Sequence, residues 1–353
     1  MLSERSRSMT AQQIAETLDF YGTYFDANID RDYVYISLAL LTKFCDNVFP
    51  VLREIILNPA FNESELRTYS NKRQQGLAIE RRKIEVQSRE LFGQALFGAE
   101  HPYGESADES LYDNLTREDL VELYNELYTA ENCFVVCSGN IDQSVIRNLE
   151  QIVEALPSGR KPEVMLPKPD TTYSIRKPID TAVQSSIRIG RLLFPRSHPD
   201  FVGMQVVAMI LGGYFSSRLM QNLREKNGYT YGVMAAMINF DKEGYLAIAT
   251  QVRREEAEAA LAEIYFEIER LRNELVSEEE LQLAKNMMIG EILRILDGPF
   301  GIADVTIENI MCGTDNSATE ENLQAILAIT PEQVQELAVK YLRRDDLVEV
   351  VVG

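Results

Sequence analysis

The residues best placed to do chemistry lie between Ser216 and Gly232, in SSRLMQNLREKNGYTYG. The spacing predicts a helix that ends at Lys226 and Asn227, with Gly228 as the left-handed stop. Arg224 falls in the last turn of that helix, where a cation offsets the helix dipole. A strand is expected from Tyr229, and Tyr231 comes two residues on, so both rings should share one face. On their own, Arg224 reads as a helix-end charge and Tyr231 as a cross-strand aromatic contact. The chain has two histidines, His101 in HPYG and His198 in SHPD. Neither has a second histidine or a glutamate at helical spacing. A zinc-hydrolase helix needs two histidines one turn apart for the metal and a glutamate to activate water. Both histidines read as turn residues before proline. Cys45, Cys133, Cys137 and Cys312 show no Cys-x-x-Cys spacing and are expected to be buried free thiols. They favour a reducing, cytoplasmic setting over a periplasmic one.

Composition excludes several classes. The chain has 353 residues, 45% apolar and 25% charged, ordinary values for a globular protein. Its formal charge of -20 argues against nucleic acid, because phosphate binding needs clustered Lys and Arg. No apolar run approaches the roughly 20 residues that span a bilayer. The opening MLSERSRSMTAQQ lacks the apolar stretch of a signal peptide.

The elements that must position these residues occur twice. Set over each other, TREDLVELYNELYTAENCFVVCSG from Thr116 and TPEQVQELAVKYLRRDDLVEVVVG from Thr330 align without a gap. Each reads as a capped helix, a polar turn and an apolar strand. NESELRTYSN from Asn62 and SEEELQLAKN from Ser277 agree at an offset one residue longer. Two segments in the same order at nearly one offset indicate duplication. Four of the twelve prolines fall in LPSGRKPEVMLPKP, the expected linker. The division is therefore a first domain over 1–156, a linker over 157–170 and a second domain over 171–353. Met1 falls opposite Phe215 or Ser216, so the opening stretch of the second copy has no counterpart in the first. Within copy one, helices are expected over Ala11–Leu18, Asp46–Leu57 and Glu63–Phe92, the last with a bend at Gly76, and strands over Tyr33–Leu41 and Cys133–Cys137. Copy two should hold strands over Ser185–Phe194, Val233–Phe240 and Tyr245–Val252. Its helices are expected over Phe201–Leu211, Phe215–Glu225 and Glu255–Asn273. Ser277 with Glu280 forms a capping box, and Thr330, Pro331 and Gln333 form another helix start. The fold class is α+β: two homologous domains, each an antiparallel-dominated sheet with helices packed on it.

At Arg224, Glu225, Gly228 and Tyr231 the chain resembles the M16 metallopeptidase family of insulinase, pitrilysin and the mitochondrial processing peptidase. Further resemblance runs through LNPAFNESEL from Leu57, ALFGAEHPYG from Ala95 and the segment from Glu109 to Asp142. The resemblance implies that Arg224 and Tyr231 reach toward a bound peptide and a zinc centre in the opposite half. Tyr231 would donate to the oxyanion and Arg224 would hold a nearby carbonyl. It also implies substrate contact at the Gly212-Gly213 turn and at Tyr229; a simple helix-end turn explains the glycines equally well. The family's zinc site does not carry over. Its two histidines would stand just before Met1-Leu2. Its third ligand, a glutamate of a Glu-Glu pair, falls on Gln75 and Gly76, which supply no carboxylate. The resemblance thus implies a non-catalytic, substrate-binding subunit that binds no metal itself, with zinc on a partner chain carrying His-x-x-Glu-His, or a homo-oligomer. Two alternatives stand beside it: a structural relative, like the core subunits of the cytochrome bc1 complex, and a fragment of an active single-chain peptidase.

Overall fold

The computed structural model describes all residues, 1–353. In chain order the elements are α1 (Ala11–Phe20), β1 (Tyr24–Ile29), β2 (Val34–Ala39), α2 (Cys45–Leu57), α3 (Glu63–Glu80), α4 (Ile84–Phe97), α5 (Arg117–Leu127), α6 (Gln143–Glu154), β3 (Ser174–Lys177), β4 (Gln184–Leu193), α7 (Phe201–Ala208), β5 (Val233–Asn239), β6 (Gly244–Arg253), α8 (Ala257–Asn273), α9 (Glu278–Ile295), α10 (Pro299–Met311), α11 (Ser317–Ala328), α12 (Pro331–Tyr341) and β7 (Val348–Val352). The chain folds as two compact units. One comprises 1–80 with 107–165, the other 81–106 with 166–353. No helix is long and apolar enough to cross a membrane.

The second unit is built on a five-stranded sheet ordered β3-β7-β4-β6-β5, in which only β3 and β7 run parallel. The central strand β4 faces two cores. Ile187 and Ile189 pack among Met204, Leu223, Ile264 and Ala338, so α7, α8 and α12 cover that face. On the other face, the Ser186 hydroxyl lies 2.7 Å from that of Ser88 on α4. Val348, Val350 and Val352 of β7 pack there with Phe92, Leu96 and Phe97 of α4, while Val351 points into the first core. Burial on both faces explains why VEVVV does not alternate as a half-exposed strand would. A side chain as buried as Phe97 contributes about 1.5–3 kcal/mol through removal of apolar surface from water.

The first unit holds one antiparallel hairpin, β1 with β2, and the helices α1, α2, α3, α5 and α6. Thr10 and Thr116 cap α1 and α5 with complete capping boxes, to Gln13 and Asp119. Ile14, Val48, Ile55 and Phe61 form one core, and Phe49, Leu52, Val145 and Ile152 another.

The repeat is visible in the elements. Helices α5 and α12 each lead into a short 3-10 turn, at Ala130–Asn132 and Arg344–Asp346. The glycines that close the two segments, Gly139 and Gly353, both have positive φ. In chain order, hairpin β1–β2 precedes α2 and α3 as hairpin β5–β6 precedes α8 and α9.

Several expectations need correction. The helix expected over Glu63–Phe92 is two helices, broken at Arg81–Lys83 rather than bent at Gly76. The reason is packing: α3 belongs to the first unit, whereas α4 buries Phe92, Leu96 and Phe97 in the second. The compact units therefore cross the division drawn at the linker, since 81–106 joins the second. Residues 133–138 belong to no strand, so the strand expected at Cys133–Cys137 is absent. In consequence Cys133 and Cys137 are exposed and Cys312 is half-buried; only Cys45 is buried as expected.

Candidate functional site

The segment carrying Arg224 and Tyr231 is braced from three sides within the second unit. Helix α7 ends in a π-helical turn, Met209–Gly213, and a second π-helical stretch runs over Met220–Lys226. Such insertions are rare and concentrate at functional sites. The helix expected from Phe215 begins at Arg218. Leu219 and Leu223 fix its inner face in the core. Between them Asn222, 4% exposed, donates to Glu263 Oε2 at 2.8 Å and Glu267 Oε1 at 2.7 Å on α8. Asn227 Nδ2 donates in turn to Asn222 Oδ1 at 2.7 Å. Arg218, with 8% of its side chain exposed, makes a two-pronged pair with Glu280 on α9, at 2.7 and 2.8 Å. Bidentate charge-assisted bonds of this kind fix geometry as well as adding energy. Glu280 is thereby unavailable to Ser277. Ser277 Oγ accepts from Glu280 N at 3.1 Å, but the return bond is missing, so the expected capping box is half-formed. Burial, with Glu280 nearby, pushes the Tyr214 phenol up from its ordinary pKa.

Gly228, at φ +66, stops the helix as expected. The residues after it form a turn rather than a strand. Gly232 N donates to Thr230 Oγ1 at 3.1 Å, and Thr250 Oγ1 on β6 donates to Gly232 O at 2.9 Å. Strand β5 starts only at Val233. Tyr229 is half-buried against the core, whereas Tyr231 stands 92% exposed at the tip of the turn. The two rings therefore do not share a face. Arg224 lies half-exposed, with its guanidinium 4.8 Å from the Phe215 ring centroid and Nε 3.4 Å from Glu225 Oε1. Gly212 is buried: a Cβ there would come within 2.7 Å of Ala235 N. Gly213 is exposed. Arg224, Tyr229 and Tyr231 thus belong to one helix–turn–strand connection, and Gly212 packs on the strand at its end.

Asn222, Arg218 with Glu280, and Thr230 with Thr250 escaped the sequence reading. Asn222 left a signal, a polar residue at a helical position whose neighbours Leu219 and Leu223 are buried. The Arg218–Glu280 pair spans two separate helices and left none.

The ligand chemistry of zinc does not fit this chain. His101 is 2% exposed, its Nδ1 accepts from Tyr103 N at 3.0 Å, and its ring packs 5.1 Å from that of Phe97. His198 stacks on Phe194 at 3.9 Å, and its Nδ1 accepts from Asp200 N at 3.1 Å. Both are turn residues whose Nδ1 is occupied. Gln75 and Gly76 are exposed on α3. No three His, Cys, Asp or Glu side chains gather where they could hold a metal. No catalytic step is therefore routed through a metal held by these residues.

Helices packed on a sheet, with a braced turn presenting a phenol, define an α+β chain. Residues 114–288 match the family described as the peptidase M16 inactive domain, which includes the whole braced segment. An uncharacterised zinc protease of Rickettsia bellii is 25% identical over 299 residues, covering 82% of this chain and 70% of its own length. One from Bacillus subtilis is 21% identical over 348 residues, covering 98% and 84%. The crystal structure of a peptidase M16 inactive domain from Pseudomonas fluorescens superposes with a TM-score of 0.92 at 24% identity, covering 100% of this chain and 86% of that one. A protease from Helicobacter pylori has the same fold, with a TM-score of 0.84 at 16% identity, covering 100% and 87%. By these likenesses the chain is similar to members of the M16 peptidase family, with the family match lying over residues 114–288.

Proposed function

We propose that this chain is the substrate-binding, non-catalytic subunit of an M16 zinc peptidase, and that a second chain with an intact His-x-x-Glu-His helix carries the metal. The observation that carries this reading is Tyr231, a phenol 92% exposed on a turn that Thr230, Thr250 and Gly228 hold in place. An exposed aromatic tip on a rigid support is organised for a partner outside the unit. A substrate peptide lies extended, bound mainly through its backbone, which gives affinity with tolerance of sequence. Tyr231 donates its hydroxyl to the scissile carbonyl oxygen as that oxygen gains negative charge. Arg224 turns from Glu225 to hold a neighbouring carbonyl. Tyr229 supports the turn from below. Gly213 is the exposed member of its pair and offers its backbone to the peptide, and Gly212 sets the turn beneath it.

One oxyanion donor is typically worth about 10²–10³ in rate, or about 2.7–4 kcal/mol. The test is to recover the tagged chain from its native cells with its zinc-bearing partner and measure peptide cleavage. Tyr231→Phe in that complex should lower kcat by about 10²–10³ with little change in KM, and the chain alone should cleave nothing. An unchanged kcat removes Tyr231 from the mechanism. Recovery of a stable assembly without any peptidase supports the structural-relative reading instead.

A further inference from the structure

One stretch of chain holds two arginines in opposite ways. Arg218 is locked, since its buried guanidinium makes two hydrogen bonds to Glu280 at 2.7 and 2.8 Å. Arg224 has 37% of its side chain exposed and pairs only loosely with its neighbour Glu225, Nε to Oε1 at 3.4 Å. Its N–H groups make no hydrogen bond inside the chain. What holds its guanidinium is a ring: Cζ stands over Phe215, 4.8 Å from the centroid. The donors of a guanidinium lie in its own plane, so a contact across its face leaves them all available. Phe215 has no other evident task. It is 57% exposed and belongs to none of the apolar cores. Its backbone is nevertheless fixed. Tyr214 packs on the core shared by α7, α8 and α12, and its carbonyl accepts from Ser217 N at 3.1 Å. Ser217 is 1% exposed, and its own carbonyl accepts from Gln221 N at 2.9 Å. A ring is thus held in water at the top of a rigid turn, beneath a cation. An arginine that only offset the helix dipole would need no such platform.

We propose that Phe215 is the positioning residue for Arg224: its ring is the platform on which the guanidinium swings from Glu225 to a carbonyl of the substrate peptide. The inference rests on the peptidase reading and adds to it the residue that decides where Arg224 points. Cation–π attraction asks only that the cation lie over the ring within about 6 Å of its centroid. The swing therefore keeps the contact with Phe215. A carboxylate gripped as Arg218 grips Glu280 would first have to be released, because a hydrogen bond weakens steeply as its angle departs from linear. The platform holds the cation in place and leaves its donors to the peptide.

The first test uses the full chain alone, with its arginines isotopically labelled for NMR and each variant checked by circular dichroism. The Arg224 side-chain resonances, identified by their loss in Arg224→Lys, should carry an upfield ring-current shift. Phe215→Leu should remove that shift and Phe215→Tyr should keep it. A shift that survives Phe215→Leu overturns the proposal. The second test uses the assembled peptidase. Phe215→Leu should raise KM for a peptide about two- to fivefold, the size of a partly exposed cation–π contact, with kcat little changed. Phe215→Tyr should restore the parent KM. In an Arg224→Ala background, Phe215→Leu should add nothing. A Phe215 that served only the fold would cost the same in both backgrounds, and that result overturns the proposal. A KM unmoved by Phe215→Leu, where Tyr231→Phe still lowers kcat, overturns it too and leaves the peptidase reading standing. If kcat ignores Tyr231→Phe and KM ignores Arg224→Ala, both fall.

Discussion

Gly212 and Gly213 are neighbours with opposite constraints. A Cβ on Gly212 would meet backbone, 2.7 Å from Ala235 N, and its φ of -159 is open to any residue, so space alone excludes a larger side chain. A Cβ on Gly213 would meet the flexible end of Met209, 2.5 Å from Sδ, which can move aside. Gly212→Ala should therefore destabilise the second unit by about 1–3 kcal/mol, the usual cost of overpacking. Gly213→Ala should leave the urea midpoint nearly unchanged and, on the function proposed above, weaken peptide binding. Equal midpoint shifts in the two variants would remove the distinction. Two features of this site were readable from the chain, the stop at Gly228 and the cation of Arg224 in the last helical turn; the strand expected at Tyr229 and Tyr231 is a turn. The direction of the rings was not readable, because it depends on Thr250, a residue of another strand that ties down the turn.

At the scale of elements, local signals reported correctly wherever the determinant was local. Thr116 and Thr330 cap helices because the hydroxyl and the third residue on act within one turn. Signals failed where a distant partner decides. Cys133–Cys137 has the composition of a strand, but a strand exists only when another pairs with it. The Glu63–Phe92 run has helical composition throughout, but its two ends pack in different units. The tie between α7 and α12 is another non-local device, and it is pH-dependent. Asp200 Oδ2 accepts from Lys340 Nζ at 2.7 Å and Tyr341 OH at 2.6 Å. The hydrogen bond from Lys340, then that from Tyr341, holds the carboxyl below the usual carboxylate range. A carboxyl with a lower pKa folded than unfolded adds stability above its unfolded value, near pH 4, and loses it as pH falls through the folded value. Asp200→Asn should thus lower the urea midpoint at pH 7, and the gap from the parent protein should narrow at a second pH well below the unfolded carboxyl value of about 4. A gap of the same size at both pH values would mean that the tie is not ionic.

Across the whole molecule, the order of the chain and the order of packing differ. Helix α4 is encoded in the first copy, yet it forms the second face of the five-stranded sheet. The duplication could be read from the sequence, because it leaves matching residues at matching offsets. The transfer of α4 could not, because Phe92, Leu96 and Phe97 look the same whichever sheet they cover. The two units are also unequal: one has a sheet with a core on each face, the other a hairpin against helices. Denaturation should therefore proceed in two steps, with the first unit opening at lower denaturant, since local stability tracks buried apolar contact. Phe97→Ala separates the two arrangements of α4. Its side chain is 1% exposed, and removing a ring at such a site costs about 3–5 kcal/mol. The loss should fall on the higher transition, which exposes β4 and β7, and leave the lower one in place. Hydrogen exchange gives the same answer by residue: amides of 84–97 should open together with those of 184–193 and 348–352. If the substitution moves only the lower transition, or if 84–97 exchanges in step with 45–57, α4 is part of the first unit and does not cover the five-stranded sheet.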